Sequence, residues 1–215
     1  MKKSPSARAQ SLYSLAKGLE SKKKDVSASV STQLGVSVDE ADKEVELSIA
    51  RLNVWAAYCD KVQGGSLPIP QSGAALSFPE ALGVVGIILP DKTPLLSMVT
   101  VLGAAIATGN AVILVLQSSD LPAGLVNIIT GNRDQLTVAL ANHSVIKAIW
   151  YWGRAEGCQY LQYTCTSPLK TLRLFCQKDG EGSDAGMDWA QSHPSLLEDL
   201  WRNAVQWKSV WIPTA

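Results

Sequence analysis

The hydrophobic positions change their period along the chain. Ser4-Pro5 reads as a helix cap followed by a first-turn proline, and Leu12, Leu15, Ala16 and Leu19 give the helix after it one apolar face. Val45, Ile49, Leu52, Ala56 and Cys59 recur at spacings of four and three, so Asp39 to Lys61 predicts a long amphipathic helix with Trp55 near its seam, broken by Gly64-Gly65. Leu67 to Phe78, with prolines at 68, 70 and 79, predicts an edge strand or hairpin arm. The pattern then becomes continuous. Gly83 to Leu89 is rich in Val and Ile, as in a strand covered on both faces, and Pro90 ends it. Leu95 to Thr108 opens just after Pro94 and closes at Gly109-Asn110, a common helix stop. Ala111 to Leu116 is a second apolar run. A strand, helix and strand of this spacing predict a right-handed parallel pair.

Further along, Arg133 to Asn142 predicts a helix, Val145 to Trp152 a strand, Ala155 to Thr164 a helix and Leu169 to Phe175 a strand. Such alternation predicts an α/β fold with a doubly wound sheet and helices on both faces. From Lys178 to Pro194 the chain is rich in Gly, Asp and Ser, which predicts a flexible linker. Ser195 to Gln206 then predicts a helix and Trp207 to Ile212 a strand. The expected organisation is one principal domain over 1–177, a linker over 178–194 and a residual helix and strand over 195–215. Six of the seven tryptophans lie at or beyond position 150, which suits a patch over apolar surface or a contact with a partner.

Charge narrows the function. With 19 basic and 19 acidic residues the formal net charge is zero, so no global field draws the chain to nucleic acid or anionic lipid. Lys22-Lys23-Lys24 is the longest basic run and reads as the solvated end of a helix. The start MKKSPSARAQ leads into no apolar stretch of the kind a secretory signal has. The apolar region from 83 to 116 is interrupted by Pro90, Asp91, Lys92 and Pro94, so a buried core is expected there rather than a membrane span. The four cysteines, Cys59, Cys158, Cys165 and Cys176, form no C-x-x-C pair, and His143 and His193 are far apart in sequence. Free, mostly buried thiols in a cytoplasmic protein are expected, with no metal site.

The run from Glu80 to Val115 resembles the aldehyde dehydrogenase superfamily, in which a strand like G-V-V-G-I-I precedes P-W-N-x-P, a helix, the turn A-x-G-N and a strand ending in K-P-x-E. Upstream, Arg8-Ala9, Leu15-Ala16, Leu19-Glu20, Glu40-Ala41 and Glu44-Val45 match the family's first helices. Downstream, residues 122–131, PAGLVNIITG, match P-x-G-V-V-N-I-V-T-G. The resemblance spans about residues 5–175. It implies a Rossmann-like cofactor domain preceded by helices. Within the superfamily, the Trp-Tyr-Trp-Gly run and the closing Trp-Ile-Pro are similar to the C-terminal, incomplete region of family 16 members.

The same resemblance implies lost chemistry. The oxyanion-donating Asn of P-W-N-x-P falls on Lys92, between Pro90 and Pro94. The ribose-holding Lys and Glu of K-P-x-E fall on Val115 and Ser118. The F-T-G-S-x-x-V-G turn, which approaches the pyrophosphate and nicotinamide, becomes Tyr151-Trp152-Gly153-Arg154-Ala155-Glu156-Gly157, one residue shorter. The general-base Glu falls on Phe175, and the pattern stops near Gln177, before the family's catalytic Cys. Cys176 lies one residue after the lost base, but it belongs to a strand end with no base adjacent in sequence. The expectation is an inactive module without cofactor, associating with a second copy or with an upstream aldehyde dehydrogenase domain. The alternative is part of an oxidoreductase using NAD or NADP, whose Cys lies upstream.

Overall fold

The computed structural model of the chain describes residues 3–61, 63–68, 73–90, 93–116, 127–177, 188–190 and 194–213. Three helices come first: α1 (Pro5–Ser21), α2 (Lys23–Leu34) and α3 (Val38–Tyr58). Ser4 caps α1 by accepting the Ala7 N–H through Oγ at 3.3 Å. At α3 the cap is reciprocal: Ser37 Oγ accepts the Glu40 N–H at 3.3 Å, and Glu40 Oε2 accepts the Ser37 N–H at 3.1 Å. The sequence reading gave no helix over 23–34, and Lys22-Lys23-Lys24, expected as the solvated end of a helix, instead lies at the junction of α1 and α2. The α2 segment is largely polar, and the break comes at Lys22, whose N–H turns back to the Leu19 carbonyl.

Two sheets follow. β1 (Gly65–Leu67) and β2 (Gly73–Ala81) form an antiparallel hairpin, so the hairpin arm expected near Leu67 to Phe78 is present. β3 (Val84–Ile88), α4 (Pro94–Ala107), β4 (Ala111–Leu116), β5 (Asn127–Thr130), α5 (Arg133–Asn142), β6 (Ile146–Arg154), α6 (Ala155–Thr164) and β7 (Thr171–Gln177) wind a five-stranded parallel sheet in the order β5-β4-β3-β6-β7. Counted within that sheet, the order is third, second, first, fourth, fifth, the doubly wound arrangement that reverses between β3 and β6. The chain closes with α7 (Pro194–Arg202) and β8 (Val205–Pro213), and β8 pairs antiparallel with the whole of β2.

β6 shows how the sheet divides two cores. Successive side chains of a strand point to opposite faces. Trp150 and Trp152 enter the larger core with α1, α3, α4 and α7, while Ile149 and Tyr151 enter the smaller one under α5 and α6. The helix at the centre of the larger core is α4, which is buried over nearly its whole length. Gly103 lets it meet α3 closely, because a side chain there would run into the indole of Trp55, which is fully buried.

A buried helix must satisfy its ends from other elements. Thr93, at the N-cap of α4, makes no side-chain capping bond. Glu44 of α3 serves instead, its Oε1 accepting the Leu95 and Leu96 N–H groups at 3.0 and 3.1 Å. At the other end Arg8 of α1 donates through Nε to the Ala107 carbonyl at 3.1 Å. The positive φ of Gly109 turns the chain, and Asn110 then joins three segments. Its Oδ1 accepts the Gly83 N–H at 3.0 Å, and its Nδ2 donates to Thr108 Oγ1 at 2.9 Å and to the Ala204 carbonyl at 2.7 Å.

The tail is therefore integral to the fold. Residues 178–187 and 191–193 of the expected linker lie outside the described residues, but Trp189 within it is only 2% exposed and belongs to the larger core. Its carbonyl accepts from Arg51 Nη2 at 3.1 Å. Leu197 and Leu200 of α7 join the same core. A segment expected to have little to bury thus contributes one large anchor.

Burial of the Glu44 carboxyl raises its pKa above the ordinary carboxylate range, against the opposing pull of the Leu96 and Leu95 N–H groups. A raised carboxyl pKa means that the folded chain holds the proton to higher pH than the unfolded chain. Glu44 therefore contributes most below the ordinary Glu pKa, and that contribution is lost as pH rises through the raised value. Glu44→Gln keeps an acceptor oxygen without ionising. In chemical denaturation across pH 4 to 8, the stability of Glu44→Gln relative to wild type should increase with pH, whereas Glu44→Ala should lose about 1 kcal/mol or more at every pH. A Glu44→Gln difference that is flat with pH contradicts the assignment.

Candidate functional site

In an open doubly wound sheet, ligands sit outside the carboxyl ends of the strands, where the order reverses. Here that point lies between β3 and β6, and most of the described residues that the resemblance marks as site positions lie at this end of the sheet. Pro90 follows β3 and is buried. Val115, near the end of β4, pairs with Ile88 of β3. Gly153 and Arg154 end β6, with Gly153 buried and Arg154 exposed as the residue preceding α6. Phe175, on β7, pairs with Trp152. Lys92 and Ser118 lie outside the described residues, as do residues 117–126, which include the start of the PAGLVNIITG match.

Phe175, where the resemblance puts the general base, is held by aromatic packing. The Phe175 ring stacks on Trp152 with centroids 4.5 Å apart and planes 6° from parallel. Trp189 meets the same Trp152 indole at 5.5 Å, its plane tilted by 56°. The Arg173 guanidinium sits 5.7 Å from the Phe175 centroid. A phenyl ring held this way has no atom that can accept a proton from water or a thiol. Sequence reasoning found Phe175 but not Trp189, which lies in a Gly-, Asp- and Ser-rich segment with no periodicity.

On the opposite face of β6, Tyr151 is 1% exposed, and its ring lies among Leu140 of α5 and Cys158 and Leu161 of α6. Burial pushes the phenol pKa up. The Arg133 charge and the Arg154 backbone N–H pull it down, and Asp134 adds to the rise. Arg133, at the start of α5, reaches across the carboxyl end of the sheet and donates through Nη2 to the Leu89 carbonyl at 3.1 Å. The far end of α5 is closed by Lys170, whose Nζ donates to the Leu140, Ala141 and His143 carbonyls at 3.1, 2.7 and 2.7 Å. Among the described residues no group of His, Cys, Asp and Glu could hold a metal ion, and no helix is long and apolar enough to cross a membrane.

Residues 1–176 match the sequence model of the aldehyde dehydrogenase family. The chain belongs to that family. It is 29% identical over 189 residues to the DhaS protein of Bacillus subtilis strain 168, a match covering 80% of this chain and 38% of that one. It is 30% identical over 175 residues to the mitochondrial aldehyde dehydrogenase of Sus scrofa, covering 72% of this chain and 34% of that one. Among solved structures, the NAD-dependent aldehyde dehydrogenase from Sinorhizobium meliloti superposes with a TM-score of 0.73 at 20% identity, covering 83% of this chain and 39% of that one. The parallel sheet is thus the Rossmann-like cofactor domain of the family. The chain spans between 34% and 39% of the length of these three proteins.

One expectation is corrected. Cys158 of α6 and Cys176 of β7 are joined by a disulfide with Cα atoms 6.2 Å apart, so only Cys59 and Cys165 are free, and both are buried. The parallel register explains the pairing. Gly153 lies beside Cys176 on β7, and the first turn of α6 folds back over that edge to bring Cys158 down upon it. Spacing along the sequence carries no sign of this. Cys176 is consequently not available as a thiolate, although it is exposed.

The bond closes a loop of sequence separation 18, which predicts roughly 3 kcal/mol of stabilisation and a Tm about 6 to 12 °C higher than that of the reduced chain. Intact-mass measurement without reductant should find the protein lighter by two hydrogen atoms, and replacing Cys176 with Ser should abolish that difference. Titration of four free thiols in the unreduced, denatured protein would contradict the bond.

Proposed function

We propose that the chain is a catalytically inactive aldehyde-dehydrogenase-like module with a structural or protein-association role, the C-terminal part of a longer family 16 protein. The observation that carries this reading is the packing of Phe175, at the general-base position, onto the face of Trp152, which Trp189 meets at a tilt. Around it, Val115, Ser118 and Arg154 stand where the family holds a dinucleotide, and Lys92 stands where it holds the oxyanion donor. These side chains do not suit NAD or NADP, so no cofactor is part of the reading.

Association is assigned to the small sheet. Its order, β1-β2-β8, leaves β8 with a single strand partner among the described residues. Trp207, Trp211 and Ile212 on β8 are 46%, 58% and 49% exposed. An open strand edge beside exposed apolar side chains favours pairing with another chain, either a second copy or an upstream aldehyde dehydrogenase domain. The second reading, part of an NAD(P)-dependent oxidoreductase acting on aldehydes with its Cys upstream, draws support from the retained strand order of the cofactor sheet.

Titration calorimetry with NAD and NADP should show no binding, and a dissociation constant below about 100 μM, worth roughly 5.5 kcal/mol, would overturn the first reading. Adding Lys92→Asn and Phe175→Glu together should yield no aldehyde-dependent NADH, because no nucleophile is supplied. In sedimentation, the intact chain should form an oligomer or capture the upstream domain, and removal of residues 207–215 should abolish this with the circular dichroism of the sheet retained. A monomeric intact chain that captures no such domain would sink the association role.

A further inference from the structure

The Cys158–Cys176 bond joins a buried residue to an exposed one: Cys158 is 2% exposed, whereas Cys176 faces solvent. Its strand is also the least supported of its sheet on the α6 side. β7 is the outer strand and, among the described residues, pairs with β6 alone. Alternation along it sends Leu172, Leu174 and Cys176 towards α6 and Phe175 towards the larger core. The end of the strand is thus fastened on both faces. Phe175 stacks on Trp152 on one side, and Cys176 is bonded to the first turn of α6 on the other.

Exposure decides which sulfur a thiolate from solvent meets. Attack by a dithiol reductant falls on Cys176: a bond forms to its sulfur, the bond to Cys158 breaks, and the Cys158 thiolate takes up a proton. The second thiol of the reductant then attacks its own sulfur in the mixed disulfide. Cys176 is freed as a thiol, and the dithiol leaves as its disulfide, having passed two electrons and two protons to the protein. The two free thiols do not compete, because Cys59 and Cys165 are buried, and burial, the leading influence on each, raises their pKa values. Once the bond is open, the contact of β7 with the α6 side comes down to Leu172 and Leu174, which are only half-buried. β3 and β6, by contrast, are largely buried and paired along both edges.

We propose that the Cys158–Cys176 disulfide is a redox-sensitive clasp on the end of β7: a dithiol reductant opens it from the Cys176 side in the folded chain, and opening releases that end of the strand from α6 while β3 and β6 stay in place. A small disulfide closes the clasp by the same exchange run backwards. The order of the outer strand, and with it the seat of the Phe175 ring on Trp152, thereby follows the thiol state of the surroundings.

The test treats the full chain, first brought to the oxidised state with oxidised glutathione, with dithiothreitol in the absence of denaturant, and follows intact mass and backbone hydrogen exchange together. The mass should rise by two hydrogen atoms. The amides from Arg173 to Gln177 should then exchange roughly tenfold faster or more, while those of β3 and β6 keep their protection. Cys158→Ser and Cys176→Ser should each show the fast β7 exchange without reductant and gain nothing from its addition. Returning the reduced chain to oxidised glutathione should restore both readings. Failure of the bond to form under oxidised glutathione overturns the proposal, as does a bond that dithiothreitol opens only after denaturation. Reduction that leaves β7 exchange unchanged overturns it too, since the bond is then an inert cross-link. Loss of β3 and β6 protection along with that of β7 has the same force, because the bond would then support the whole sheet.

Discussion

Burial of α4 is the constraint on which the rest of the structure depends. A helix covered on nearly all sides cannot hydrate its end groups, and each unpaired N–H or carbonyl left there costs about 1 to 3 kcal/mol. The chain meets this demand with side chains from distant elements. Glu44 of α3 takes the first N–H groups, Arg8 of α1 takes the Ala107 carbonyl, and Asn110 links the end of α4 to β3 and to the end of α7. These bonds fix where α1, α3 and the tail must lie. The Trp55–Gly103 contact then sets how closely α3 can approach.

The same sheet positions the residues that the resemblance marks, and its two faces are filled differently. On the α4 face, Trp152 stacks on Phe175 and meets Trp189 at a tilt, at the position where the resemblance implies a general base. On the α5 and α6 face, Tyr151 projects into the turn between β6 and α6. Alternation along one strand sends neighbouring aromatic residues to both sides of the sheet. Large rings therefore pack on both faces of β6 at this end of the sheet.

Much of the fold was legible in the sequence because its signals are local. The strand before Pro90, the helix from Pro94 to Gly109-Asn110 and the helix beginning at Ala155 are each marked by a run, a cap or a break within a few residues. What could not be read depends on separation. The pairing of β8 with β2 joins segments more than a hundred residues apart, and nothing in Val205–Pro213 names its partner. The Cys158–Cys176 bond follows from parallel register, not from spacing. Trp189 gave no periodic signal, and α2 was hidden by its polar composition. At the site, Phe175, Gly153 and Arg154 were found by their place in a family pattern, but the direction of Tyr151 required the sheet.

If α4 is the element on which the others converge, its amides should exchange with solvent only when the whole molecule unfolds. Native-state hydrogen exchange across a denaturant series tests this directly. The account predicts that amides from Met98 to Ala107 share the highest opening free energy with those of β3 and β6, and that all respond to denaturant with the slope of global unfolding. Exchange of the α4 amides through a smaller, denaturant-independent opening, while β3 and β6 remain protected, would contradict it.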